Sequence, residues 1–182
     1  MKKNGFTLIE VLAIMIILGI LIVLTIPGYL TVLKDVRRDN YQSKVREIEV
    51  AAEKYGERIK DEVKNAGAAC YRINVEKLIK RGELTSDSDK EDVIYNVTNN
   101  TPLDGEIRIC YDNEDFELKA YYTMNFNTSS RYYKGEKVTI DDEEHKNKIY
   151  ECLHDYPGNK SGIEGTYVEK NKTLPYFKEI KS

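Results

Sequence analysis

Glu10 is the side chain whose placement asks most for an explanation. It stands in the apolar run FTLIEVLAIMIILGILIVLTIPG, residues 6–28, as its one charged residue. A carboxylate in such a run is costly unless a cation meets it, so its natural chemistry is that of a counter-ion. Before the run comes a short basic leader, Met1-Lys2-Lys3-Asn4-Gly5. Glu10 lies four residues after Phe6, about one helical turn, so it could neutralise a cation there in its own chain or in a neighbour. A carboxylate that snorkels to the membrane edge is the competing reading.

Other residues with reactive side chains form weaker patterns. Cys70, Cys110 and Cys152 all follow the apolar run. In an oxidising compartment three cysteines give one disulfide and one spare thiol, and reduced, buried thiols are the alternative. Alternation over residues 106–112 puts Cys110 on the polar face with Arg108 and Asp112. Cys110–Cys152 is therefore the expected bridge, with Cys70–Cys152 and Cys70–Cys110 left open. His145, Cys152, His154 and Asp155 are metal-ligand types, but their spacing fits no zinc template. The acidic stretches Asp87, Asp89, Glu91, Asp92 and Asp141 to Glu144 read as solvated loops, and the first lacks the glycine an EF-hand turn needs. No glycine-rich phosphate loop or G-x-S-x-G elbow is present, and Cys152 with His154 is too generic for a thiol enzyme. The expectation is a protein without metal, cofactor or catalytic residues. A net charge of −3, with no basic stripe, argues against a nucleic-acid partner.

The elements that position Glu10 come next. From Val11 to Leu33 no residue is charged, a run of 23 positions, and roughly 20 apolar residues suffice to span a bilayer. The run exceeds the roughly 7–15 residues of a cleaved signal-peptide core, and no A-x-A-like site follows it. Lys2 and Lys3 before it, and Lys34, Arg37 and Arg38 after it, leave its orientation open.

The junction Lys2-Lys3-Asn4-Gly5/Phe6-Thr7-Leu8-Ile9-Glu10-Val11-Leu12, with Pro27 and Gly28 further along, resembles the class III signal of type IV prepilins. The resemblance covers about the first 30 residues. It implies cleavage between Gly5 and Phe6 by prepilin peptidase, methylation of Phe6, and pairing of Glu10 with the Phe6 amine of an adjacent subunit during assembly. It further implies that Gly19, Pro27 and Gly28 bound a stretch that kinks or unwinds in filaments. The partners it implies are other pilin subunits in a homo- or hetero-polymer, an inner-membrane assembly platform, and the cytoplasmic membrane before assembly. The implied product is an extracellular pilus fibre, or fimbrium, serving adhesion, twitching motility, biofilm or DNA uptake. A pseudopilin of a secretion or competence system is the alternative within the family. A membrane-tethered monomeric binding domain is the alternative outside it. Residues 70–84 also look like the connecting region of pilin-like proteins from Gram-positive bacteria.

Beyond the apolar run, Tyr41, Val45, Ile48, Ala52, Tyr55, Ile59 and Val63 recur at spacings of four and three, opposite a charged face. This is one side of an amphipathic helix. A single helix from Phe6 to Val63 would measure roughly 87 Å, the stem of a pilin-like lollipop. A short coiled-coil seam fits the same spacing, but a sheet-like region follows. Asn74 caps a helix over residues 75–81 that Gly82 ends. Residues 93–98, 106–112, 116–123, 136–140 and 165–168 read as strands, with a hairpin turn over 112–115. Residues 142–153 read as a short helix. Tyr, with 14 residues against four Phe and no Trp, suits half-wet sheet surfaces. The expected fold is α+β: a long N-terminal helix, membrane-spanning and then amphipathic, packed on an antiparallel sheet, as in the pilin fold. The expected divisions are leader 1–5, apolar helix 6–33, amphipathic helix 34–65 and globular head 66–182.

Overall fold

The computed structural model describes residues 7–97, 100–112, 116–145, 147–158, 162–169 and 172–181, without the side chains of residues 23–31, 68 and 181. Helix α1 spans Leu8–Arg58. It stays helical through Gly19, Pro27 and Gly28, so the unwinding that the resemblance attaches to filaments is not a feature of the isolated chain. Among the described residues no helix is long and apolar enough to cross a membrane. The apolar run of the sequence passes through residues 23–31, whose side chains lie outside the described set. The chain forms two units, Met1–Asp39 and Asn40–Ser182. Within the first, Arg38 pairs with Asp35 at 3.1 Å, one turn apart on α1.

In the second unit the apolar stripe of α1 becomes core. Tyr41, Ile48, Ala52 and Tyr55 are buried, with Val45 half-buried beside them. The expected single helix to Val63 is instead two. Ile59 leaves helical geometry (φ −115°, ψ 32°), its N–H donates to Gly56 O at 3.1 Å, and α2 resumes over Lys60–Ala66. The tightened turn keeps Val63 fully buried on the same side. At Gly56 the helix lies close against the sheet. A Cβ there would lie 2.8 Å from Ile109 Cγ2 and 3.3 Å from Leu118 Cδ1.

A six-stranded sheet faces this helix. Its strands are β1 (Tyr71–Asn74), β2 (Glu106–Tyr111), β3 (Leu118–Asn125), β4 (Lys137–Thr139), β5 (Ile149–Cys152) and, last in the chain, β8 (Phe177–Lys181). They lie in the order β1-β2-β3-β4-β5-β8. All neighbours are antiparallel except β3 and β4, which pair in parallel only at Met124↔Val138 and Asn125↔Thr139. β6 (Thr166–Glu169) and β7 (Lys172–Pro175) form a separate hairpin. The fold is thus α+β, a helix packed on a mainly antiparallel sheet, as the pattern predicts. Ile73, Ile107, Ile109, Ala120 and Tyr122 meet the helix stripe. Asn74 caps α3 (Val75–Lys80), its Oδ1 accepting from Lys77 N–H at 3.0 Å.

The short β3–β4 pairing leaves inner N–H groups of β3 without a strand. α1 supplies the acceptors. Glu49 takes the Tyr122 N–H at 3.1 Å and Glu53 the Ala120 N–H at 3.4 Å. Carboxylates one helical turn apart match alternate residues of a strand, because about 6 Å of helix spans nearly the same distance as two strand residues. Glu49 is buried, and Lys137 of β4 neutralises it at 2.6 Å.

Four expectations fail here. Residues 142–153 are not a helix, because Ile149–Cys152 pairs with β8 as a strand. Residues 93–98 give only an isolated bridge, Tyr95↔Pro102, with Thr98 outside the described residues. Phe116 does not share the inner face of β3. Asp112 N–H donates to Glu117 O, closing the hairpin before Leu118, and Phe116 stands exposed at φ 57°. The disulfide is Cys70–Cys110, not Cys110–Cys152. Edge strand β1 pairs Tyr71 with Ile109, which places Cys70 opposite Cys110 with Cα atoms 4.5 Å apart. The outer face of β2 is also no solvent face. Cys70, Cys110 and Ile149 form a small buried cluster there, and Arg108 is buried with them on that side. Cys152 is a buried free thiol in a separate aromatic cluster of Tyr132, Tyr150, Tyr156, Tyr176 and Phe177.

Candidate assembly site

Gly5 and Phe6 lie outside the described residues, so the site begins at Thr7. Thr7 stands immediately before α1, and Glu10 is in its first turn. The first N–H groups of any helix lack internal partners. Here the two side chains supply partners reciprocally. Thr7 donates from its backbone N–H and from its Oγ1 to Glu10 Oε2, both at 2.8 Å. Glu10 N–H donates back to Thr7 Oγ1 at 3.4 Å and to Thr7 O at 3.1 Å. This is a capping box, T-x-x-E in sequence. Sequence reasoning about Glu10 as a counter-ion missed this role, although the signature lies in residues 7–10. The negative charge also sits at the positive end of the helix dipole.

Around this carboxylate the helix shows only apolar surface. Leu8, Ile9, Val11, Leu12, Ile14, Met15, Ile16, Ile17 and Leu18 are each about half or more exposed, and the run continues to Ile22. Water is a poor solvent for so large a contiguous apolar surface, which calls for cover by lipid or protein. Glu10 Oε2 is occupied by Thr7, while among the described residues no hydrogen bond reaches Oε1. The site is therefore a single anionic acceptor, held at a fixed place on a greasy helix. Gly19 leaves open space where a Cβ would stand.

The remaining residue types singled out by sequence do not converge. His145 Nδ1 meets Asp142 Oδ1 at 2.7 Å. The Cys152 thiol donates to His154 O at 3.0 Å, and the His154 ring stacks on Tyr167 at 4.2 Å. Burial pushes the Cys152 thiol up to about 12, with the Tyr156 and His154 backbone lowering it and Glu136 and Asp155 raising it. Asp87 is committed to Lys44 Nζ at 3.0 Å and to the Tyr95 N–H at 2.9 Å, tying its loop to α1. Among the described residues no group of three or more His, Cys, Asp or Glu stands ready for a metal ion.

Comparison with known proteins bears on the N-terminus. Residues 1–26 match the model of the prokaryotic N-terminal methylation motif. No curated protein and no solved structure matches the chain. Nothing in the motif match speaks for a Gram-positive source. The motif, shared by type IV pilin-like and pseudopilin-like proteins, implies processing by prepilin peptidase and assembly with other pilin subunits. Over residues 1–26 the chain thus carries the prokaryotic N-terminal methylation motif, and in this it is similar to prepilin-like proteins.

Proposed function

We propose that this chain is a structural subunit of a type IV pilus and not an enzyme. It is held in the cytoplasmic membrane by residues 6–33 with its leader inside. It is then cut between Gly5 and Phe6, methylated on Phe6, and drawn by an assembly platform into an extracellular fibre that serves adhesion, surface motility or biofilm. The observation that carries this reading is the lone carboxylate in the first turn of an exposed apolar helix, within the matched methylation motif. Once Phe6 bears an ammonium, Glu10 is its nearest chemical complement in a neighbouring subunit. A paired charge in an apolar filament core costs far less than two unpaired ones. A pseudopilin of a secretion or competence system is the second reading, because the match is confined to residues 1–26.

Intact mass of the membrane-extracted protein tests the processing: residues 1–5 are lost and one methyl group is gained. A chain beginning at Met1 overturns the proposal. Two variants then separate the roles of Glu10. Glu10→Gln keeps an acceptor for the Thr7 cap but removes the charge, whereas Glu10→Ala removes both. Charge pairing predicts that both are cleaved and that neither enters fibres. Normal fibre incorporation by Glu10→Gln rejects the pairing role. Immunogold labelling along a long fibre supports the pilus, and labelling confined to short cell-bound fibres supports the pseudopilin.

A further inference from the structure

A tight turn, residues 133–136, packs on α1 near the start of the second unit. Lys134 O accepts from Gln42 Nε2 at 2.9 Å. Gly135 (φ 90°) comes so close that a Cβ would lie 2.7 Å from the same Nε2. Every amide of the turn is bonded. Tyr133 N–H donates to Glu136 Oε2 at 2.9 Å, Lys134 N–H to Asp155 Oδ1 at 3.0 Å, Gly135 N–H to Cys152 O at 2.7 Å, and Glu136 N–H to Tyr133 O at 3.0 Å. The Glu136 side chain therefore closes the turn from within, and the residue is half-buried.

The groups around it do not neutralise it. From α1 it faces Tyr41, with Glu49 further along; from β3, Tyr122; from β5, the Cys152 thiol; and from the following loop, Asp155. Tyr132 lies beside it in the turn's own segment. The next residue along the chain, the cation Lys137, is committed to Glu49 at 2.6 Å. The His154 ring stacks on Tyr167. Among the described residues no ion pair reaches Glu136, and Lys134 is engaged through its backbone only. An ionised carboxylate here is desolvated, beside a second carboxylate and without a counter-ion.

We propose that the 133–136 turn is a pH-set latch on α1, closed when Glu136 is neutral and loosened as Glu136 ionises. Burial raises Glu136 from its ordinary 4.5 to about 7, with the Tyr133 amide pulling it down and Asp155 pushing it up. The sign follows from linkage. With the carboxyl raised in the closed state, closure is strongest below about pH 4.5. It weakens as pH rises from there towards 7, where the closed form also ionises, and it changes little above. The ideal limit is about tenfold in the opening equilibrium per pH unit within that window.

Hydrogen exchange of the full chain in mild detergent, read by mass spectrometry and corrected for intrinsic rates, tests the latch. Protection of the amides of residues 133–136 should fall by at least tenfold between pH 5 and pH 7 and level off above. Protection of residues 107–110 in β2 should not change. Glu136→Gln should keep the turn protected across the range. Asp155→Asn, which retains the acceptor for Lys134 N–H, should shrink the fall. Protection of 133–136 that is independent of pH in the wild type, or a Glu136→Gln profile that follows the wild type, overturns the proposal.

Discussion

Replacing Lys137 by Met isolates the ion pair that joins α1 to the weakly paired middle of the sheet. Met fills most of the volume of the lysine stem, so packing is largely retained. Glu49, only 5% exposed at its side chain, loses its 2.6 Å partner. It retains the Tyr122 N–H at 3.1 Å and Arg46 at 3.9 Å, the latter 66% exposed and mostly solvated. Breaking a buried pair from one side costs about 3–5 kcal/mol. The remaining amide and Arg46 offset part of this, which leaves about 2–3 kcal/mol. For a chain of this size that corresponds to about 5–10 °C in Tm. The assay is urea unfolding of the full chain in mild detergent, followed by the near-UV circular dichroism of the tyrosine-rich head. Glu49→Gln keeps an acceptor for Tyr122 and leaves a lysine that is 18% exposed and able to reach water, so it should cost less than Lys137→Met. The double variant should cost less than the sum of the two, with a coupling of about 1–2 kcal/mol. A Lys137→Met variant within about 0.5 kcal/mol of wild type, or strict additivity, refutes a net role for the pair.

Three further outcomes follow from the same core. Gly56→Ala improves helix propensity by about 1 kcal/mol, yet its Cβ would crowd Ile109 at 2.8 Å. Overpacking of about 1–3 kcal/mol should win, giving a net loss in the same urea assay. Cys70→Ala opens a loop of sequence separation 40, and the chain-entropy estimate puts the loss near 4 kcal/mol. A variant as stable as wild type contradicts the bridge. Cys152, buried and with its thiol pushed up to about 12, should resist iodoacetamide at pH 8 in the folded protein and take one label in denaturant, as counted by intact mass.

The parts of the fold legible in the sequence are those fixed by near neighbours. The 3–4 spacing from Tyr41 to Val63, the cap at Asn74 and the alternation of residues 106–111 each depend on a few adjacent side chains. What the sequence hides depends on distant partners. Ile149, Tyr150, Cys152 and Leu153 fit a helical spacing as well as a strand, and only β8, which begins at Phe177, decides the matter. Cys70 finds Cys110 through β1, an edge strand of four residues too short to leave a periodic signal. Cys110 does lie opposite Ile107 and Ile109. Ile149 covers that outer face, however, and a pattern that assumes a wet outer surface assigns the wrong partner.

Glu10 has one role in the structure and a second under the proposal. The counter-ion reading concerns the charge and would explain why a carboxylate is present at all. The capping box concerns the oxygen atoms and explains how the carboxylate is held before any neighbour arrives. Thr7 engages Oε2 through two donors at 2.8 Å, and a Thr or Ser cap is worth about 1 kcal/mol. That is small beside the cost of an unpaired charge in hydrocarbon, at least about 2.5 kcal/mol for an acidic residue at the centre of a membrane helix. Capping therefore orients the carboxylate but does not remove the need for a cation. The difference in size is why Glu10→Gln, which spares the cap and deletes the charge, separates the two roles.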